Sequence, residues 1–332
     1  MTNAFNRRRF LGQSAALGAL ACTGLAQAQT GWRPSEMVRY VIGVAPGGSV
    51  DLYARGIAQA LQDLNLVNGQ TVLADNRPGA AGLLALQQLQ RQRGNGHYLG
   101  TFHTGSIAGQ VTGMLKADMR EFVPVAMMVE ETSLVAVRED SDIRSAEDLV
   151  ARLKKDPASL RIAVAPVRGL NTHLAIAKPL QAAGVAVDRL TVAPFRSSGD
   201  SMTALLGGHV EVVSATVPTV IPHQQAGRVR ILASADPRRG TGVLAGVPTW
   251  RDLGVPADYV SYNGVLLPAA VDADQIRFWE DALRRVSQSP AWQSLVTKSG
   301  NRPVFQGYVD SHRYLQSELQ QTQSLVSQLK LG

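Results

Sequence analysis

The sequence predicts an α/β protein built as two lobes of mixed, mostly parallel sheet with a hinge between them. Three observations carry this. The chain has 332 residues, more than the roughly 250–300 that one hydrophobic core usually serves. Short β-rich runs alternate with amphipathic helical runs, the pattern of parallel strands joined by right-handed helical crossovers. No repeat, low-complexity tract or long linker separates the halves, so the lobes share the chain as a clamshell does. A hydrophobic share of 45% against 18% charged residues excludes a disordered chain and a coiled coil.

The elements follow in order. Val38–Ala45 is β-rich, Pro46-Gly47-Gly48 is a turn, and Asp51–Leu64 carries apolar residues at Leu52, Ile57, Leu61 and Leu64, close to helical spacing. Thr71–Leu73 is a short strand, Asn76–Gly79 a turn by composition, and Ala80–Gln90 a leucine-rich helix. Strands are expected at Tyr98–His103, Phe122–Val129 and Leu134–Val137. Ser145, with Asp148 three residues on, caps a helix. Strand and helix then alternate: strands at Arg161–Ala165, Arg189–Ala193 and Val210–Ala215, helices at Thr172–Ala183 and Ser201–Leu206. Arg228–Ser234 and Val260–Leu267 are further strands, and Asp272–Ser287 and Asp310–Leu329 are helices.

Residues 1–28 read as an export signal. Arg7, Arg8 and Arg9 precede a charge-free, Ala/Gly/Leu-rich stretch that ends in Ala26-Gln27-Ala28, a small–x–small cleavage pattern. Asn6–Leu11 resembles the twin-arginine signature. Cleavage near Ala28 removes the sole cysteine, Cys22, which suits an oxidising periplasm. One cysteine also excludes a disulfide scaffold and any multi-cysteine metal site. The net charge of +7 is scattered and aromatics are 5%, so nucleic acid is not an expected partner.

Candidate binding residues sit where strands hand over to helices, because ligands in such sheets lie outside the carboxyl ends of strands, at helix N-termini. Pro46, Gly47, Gly48, Ser49 and Asp51 form the first such loop. Its glycines admit close approach, its backbone N–H groups and the helix dipole favour an anion, and Asp51 is placed to cap the turn. A bare tight turn is the alternative. Thr104 and Ser106 follow the Tyr98–His103 strand. Ser106 is no nucleophile elbow, since Thr104 stands where G-x-S-x-G needs glycine. Arg168, Asn171 and Thr172 form a third loop, and Phe195, Arg196, Ser197 and Ser198 a fourth. Each of these two carries an arginine, a natural carboxylate partner or a solvated surface charge. His97 and His103 lack partners at metal-ligand spacing, so no metal is expected. Gly94, Gly96 and Gly100 precede a strand and do not form a dinucleotide fingerprint.

Taken in order, these segments resemble the Bug family, the periplasmic solute receptors of tripartite tricarboxylate transporters. The carriers are Pro46–Asp51 followed by Ala54-Arg55, then Asp75–Gly82, then loosely Gly96–Gly100. Val192–Ser198, Leu205–Glu211, Pro218–Ala233, Gly246–Thr249 and Leu253-Gly254 complete the set. The resemblance implies the type II periplasmic binding fold, with lobe I at 30–130 plus 231–332 and lobe II at 131–230. It implies a receptor that catalyses nothing, uses no cofactor, and acts as a monomer. It would bind a small carboxylate through the loops above and deliver it to transporter membrane subunits. The rivals are an exported hydrolase or transferase on a similar fold, and a ligand sensor for a membrane kinase. Val44-Ala45, Val50 and Ala165-Pro166-Val167 depart from the family pattern and make the site more apolar. A larger or aromatic carboxylate is therefore as well suited as a succinate-sized one.

Overall fold

The computed structural model describes residues 31–47, 49–165 and 167–328. The expected signal at 1–28, with Cys22 and Ala28, lies outside the described residues, as do Gly48 and Pro166.

The first half begins β1 (Val38–Ile42), α1 (Ser49–Asp63), β2 (Val72–Asn76), α2 (Leu83–Gln90), β3 (Tyr98–His103) and α3 (Thr104–Val111). β1 pairs in parallel with both β2 and β3. Here the strands are short, β1 is almost wholly buried while β2 is largely open at the edge, and α1 covers one face through Tyr53, Ala54, Ile57 and Leu61. β4 (Val123–Arg138) follows as one continuous strand. Two strands were expected, split by the polar run Glu130-Glu131-Thr132-Ser133. The backbone stays extended there because that run is paired by distant residues.

The second half repeats the pattern: α4 (Ala146–Lys155), β5 (Arg161–Val164), α5 (Asn171–Ala182), β6 (Thr191–Pro194), α6 (Ser198–Leu206), β7 (Val212–Thr216), α7 (Val217–Gln225) and β8 (Val229–Ser234). Ser145 accepts from the Asp148 backbone N–H at 3.2 Å, which fixes the start of α4. β5 pairs in parallel with β6 and β7. The chain then returns through β9 (Val260–Leu267), α8 (Ala273–Gln288), α9 (Pro290–Lys298), β10 (Arg302–Gln306) and α10 (Tyr308–Gln328). Asp272 and Gln275 form a reciprocal capping box at the start of α8.

β4 joins the two halves. Its first part, to Thr132, pairs antiparallel with β9, and its last part, from Ser133, pairs antiparallel with β7 and β8. Sheet order is therefore β2-β1-β3-β9-β4-β7-β5-β6, with β8 and β10 also on β4. Parallel pairing is confined to the outer strands, and every strand that touches β4 runs antiparallel to it. β8 lies on the second sheet, and Leu232, Ala233, Ala235, Trp250 and Tyr259 pack into that sheet's core with Leu174 and Leu180. The chain rejoins the first sheet at β9, which starts at Val260. α10 spans both cores: Leu315 packs with Phe102 and Ile107, and Leu325 with the second core.

Candidate functional site

The loops expected to bind are built in different ways. In the first, the Asp51 carboxylate is buried and accepts from Gly47 N at 2.9 Å, Asn76 Nδ2 at 2.8 Å and Arg55 Nε at 3.0 Å. Burial works to raise its pKa, but these hydrogen bonds prevail and hold the group below the ordinary carboxylate value. Asp51 is therefore spent on shaping the turn, and the Gly47 amide is bound to it rather than offered to a ligand. Gly47 has φ +95°, a conformation that needs glycine. Pro46 is exposed and Ser49 half-buried at the first residue of α1.

Thr104 also turns inward. Its hydroxyl accepts from Tyr262 N at 2.8 Å and bonds the Tyr314 hydroxyl at 2.8 Å, tying α3 to β9 and α10. Ser106 is buried and borders a small space with Gly43, Gly82, Thr101 and His103, where the loops after β1, β2 and β3 meet. Burial lowers the His103 pKa to about 4, so the imidazole there is neutral near pH 7.

On the second sheet, the Thr172 hydroxyl bonds both Ala165 N (2.8 Å) and Ala165 O (2.7 Å), closing the loop from β5 to α5. His173 Nδ1 accepts from Gly169 N at 2.8 Å, so the ring proton sits on Nε2, which is buried without a partner. Asn171 accepts from the Tyr259 hydroxyl at 3.1 Å. A Cβ on Gly105 would stand 3.5 Å from Asn171 Nδ2, so the starts of α3 and α5 face each other closely. Arg168 is exposed. The fourth loop begins beside the third, with Phe195 N donating to Val164 O at 2.9 Å; Phe195 packs against the core with Met202 and Leu205, Ser197 caps α6 by accepting from Asp200 N, and Ser198 is half-buried at its first turn. The Arg196 side chain is 95% exposed, 3.5 Å from Asp200.

Two features escaped the sequence reading. The first is a cavity of about 530 Å³ bounded by α7, the Gly240–Leu244 segment and the turn from α9 to β10. None of the expected residues lines it. Of its charged groups, which include Lys298, three are paired: Glu130 accepts from Arg302 Nη1 at 2.7 Å and Arg238 Nη2 at 2.6 Å, and Asp236 from Arg302 Nη2 at 2.6 Å. Asn301 Oδ1 and Thr132 Oγ1, both on its lining, are buried without partners. Asn301 Oδ1 only accepts and cannot receive an ionised carboxylate.

The second is Glu131, on β4 where it leaves the first sheet. Its carboxylate accepts from Asn263 Nδ2 at 2.7 Å and Asn301 Nδ2 at 3.5 Å, with further hydrogen bonds from the side chains of Ser49 and Tyr53. Burial pushes its pKa up, and these neutral donors only partly offset that. No motif announces Glu131, because its partners lie 78 to 170 residues away in the sequence, from Tyr53 at the near end to Asn301 at the far one. Among the described residues, no group of three or more His, Cys, Asp or Glu side chains is arranged to hold a metal.

Comparison with known proteins agrees with this architecture. Residues 54–331 match the family described as the tripartite tricarboxylate transporter family receptor, TctC. BugT of Bordetella pertussis is 26% identical over 300 residues, covering 88% of this chain and 89% of its own. A TctC solute-binding protein from Polaromonas superposes with a TM-score of 0.76 at 18% identity, covering 89% of this chain and 99% of that one. An R. palustris protein with adipate gives 0.74 at 23% identity, covering 90% and 98%. The family is one of solute-binding receptors rather than enzymes, and receptors of this type are periplasmic. The match spans most of the chain and the two-sheet architecture is shared, so this protein belongs to the TctC family of tripartite tricarboxylate transporter receptors.

Proposed function

We propose that the protein captures a carboxylate-bearing small molecule between its two sheets and hands it to the membrane subunits of a tripartite tricarboxylate transporter. The observation that carries this reading is the approach of the α3 start, at Gly105, to the α5 start, at Asn171. Helix N-termini from opposite sheets converge there, and unpaired N–H groups with the positive ends of helix dipoles suit an anion. Ser49, Ser106 and Asn171 are the side chains best placed to contact the ligand. Asp51, Thr104 and Thr172 hold their loops in shape. Arg196 and Arg168, both exposed, meet the ligand only at the rim. The protein works as a monomer of two lobes, exported with its first 28 residues removed. The crossings at β4 and between β8 and β9 act as the hinge. Binding of adipate by a relative of the same fold supports the ligand class.

A thermal-shift screen of the mature protein against mono- and dicarboxylates tests this, since a ligand that binds only the native state raises the midpoint. A concentration-dependent rise with at least one carboxylate is expected. Rises only with sugars, cations or phosphate esters would contradict the reading.

A further inference from the structure

Glu131 is an acidic side chain in the wrong company for a simple anion site. It stands against the first residue of α1, through the Ser49 hydroxyl, at the end of the helix where the dipole favours negative charge. All its hydrogen-bond partners are neutral: Asn263, Asn301, Ser49 and Tyr53. Among the described residues, no lysine, arginine or histidine forms an ion pair with it. It is only partly covered. Its neighbours repeat the imbalance. Asn263 is 3% exposed and gives its amide hydrogens to Glu131, while its Oδ1 is buried without a donor. Asn301 gives its amide to the Tyr53 hydroxyl at 2.7 Å and, more weakly, to Glu131 at 3.5 Å, its Oδ1 is buried without a donor, and the Thr132 hydroxyl next to Glu131 on β4 is also without a partner. Here, then, is a carboxylate held only by amide and hydroxyl groups, with no cation of the protein paired to it among the described residues.

A ligand carboxylate seated at the start of α1 would meet the like charge of Glu131. A ligand with a protonated amine beside its carboxylate removes that conflict. Its carboxylate takes the backbone N–H groups, and its ammonium, with three donors, lies between the ligand carboxylate and Glu131. We propose that Glu131 selects the ligand by holding a cationic group, and that this receptor prefers an amino-bearing carboxylate over the same carboxylate without the amine. This rests on the carboxylate-receptor reading above and names its ligand class.

Titration calorimetry of the mature protein with matched pairs tests it: aspartate and succinate, glutamate and glutarate, 2-aminoadipate and adipate, phenylalanine and 3-phenylpropionate. In at least one pair the amino member should bind tenfold tighter or more, about the worth of one charge-assisted hydrogen bond. Glu131→Gln keeps the shape and should erase that preference, with the fold checked by circular dichroism. The comparison within each pair uses the unaltered protein, so it decides the matter even if the variant does not fold. If the amine-free members bind as tightly or tighter, Glu131 does not select, while the receptor reading stands. An amine preference that survives in a folded Glu131→Gln also overturns the role of Glu131. If no member of any pair binds, the carboxylate reading fails and the inference with it.

Discussion

Glu130 and Glu131 are neighbours on one strand, yet the two sides of β4 treat them in opposite ways. Side chains alternate across a strand, so the pair necessarily faces different surroundings. Glu130 is 5% exposed and meets two guanidinium groups, those of Arg238 and Arg302, with Asp236 completing the network. Glu131 meets only amides and hydroxyls. A buried charge that the protein itself neutralises is part of the framework. One left without a counter-ion, beside the start of a helix in a receptor, is available to recognise something. The difference separates structure from selection within two residues of chain.

The largest change expected is loss of the strand that carries both groups. Gly264 on β9 lies opposite Met127, and a Cβ there would come within 2.1 Å of the Ala126 carbonyl oxygen. That contact is with backbone and cannot be relieved by a rotamer. Gly264→Ala should abolish the cooperative thermal transition, as followed by circular dichroism.

Next in size is the Glu130 side of the comparison. Removing one partner of a buried ion pair costs about 3–5 kcal/mol. Here the side chains of Arg238 and Arg302 are 58% and 32% exposed, so water replaces part of the loss and Glu130→Ala should cost roughly 2–4 kcal/mol in urea denaturation.

The Glu131 side predicts a sign rather than a large size. Burial raises its pKa above the ordinary 4.5, so the folded state holds the proton more tightly than the unfolded one. Its contribution to stability therefore falls as pH rises through the window above 4.5. Glu131→Gln lacks that slope, and its stability relative to the parent should increase between about pH 4 and pH 7. Asp118 supplies the opposite slope. Hydrogen bonds from Arg120 bring it down to about 2 from 3.8. That stability is complete above 3.8 and is lost as pH falls toward about 2, and Asp118→Asn should flatten this acid limb.

The smallest effect belongs to Arg196. Its side chain is 95% exposed with one loose ion pair, and such pairs contribute about 0–1 kcal/mol. Arg196→Ala should leave the melting midpoint unchanged within error and weaken ligand binding only slightly. A loss of a hundredfold in affinity would move the site to the fourth loop.

How much of this was legible depends on where the partners lie. Local signals located α1 and α8, because their apolar spacing is contained within a few residues, and the Asp272–Gln275 box found in the structure agrees with the start of α8. α7 was missed: Pro218 and Pro222 stand in its nine residues, Pro218 at a first-turn position that tolerates it. α3, Thr104–Val111, reads as loop because its small and polar residues become helix only when packed against β9 and α10. β4 reads as two strands for the same reason, since the polar Glu130 through Ser133 interrupt its apolar run until Arg302, Asn263 and β7 are brought to them. At the site, the first loop was legible as a turn, and Asp51 proved to be its internal cap. Glu131 was invisible because nothing adjacent in sequence marks it.

The most direct test puts the two glutamates side by side. The tightest carboxylate from the screen is titrated by calorimetry into the parent, Glu130→Gln and Glu131→Gln. The account predicts an affinity within about twofold of the parent for Glu130→Gln, and a change of about tenfold or more for Glu131→Gln, the worth of one charge-assisted hydrogen bond. Parental affinity in Glu131→Gln, or an equal loss in both variants, would contradict it.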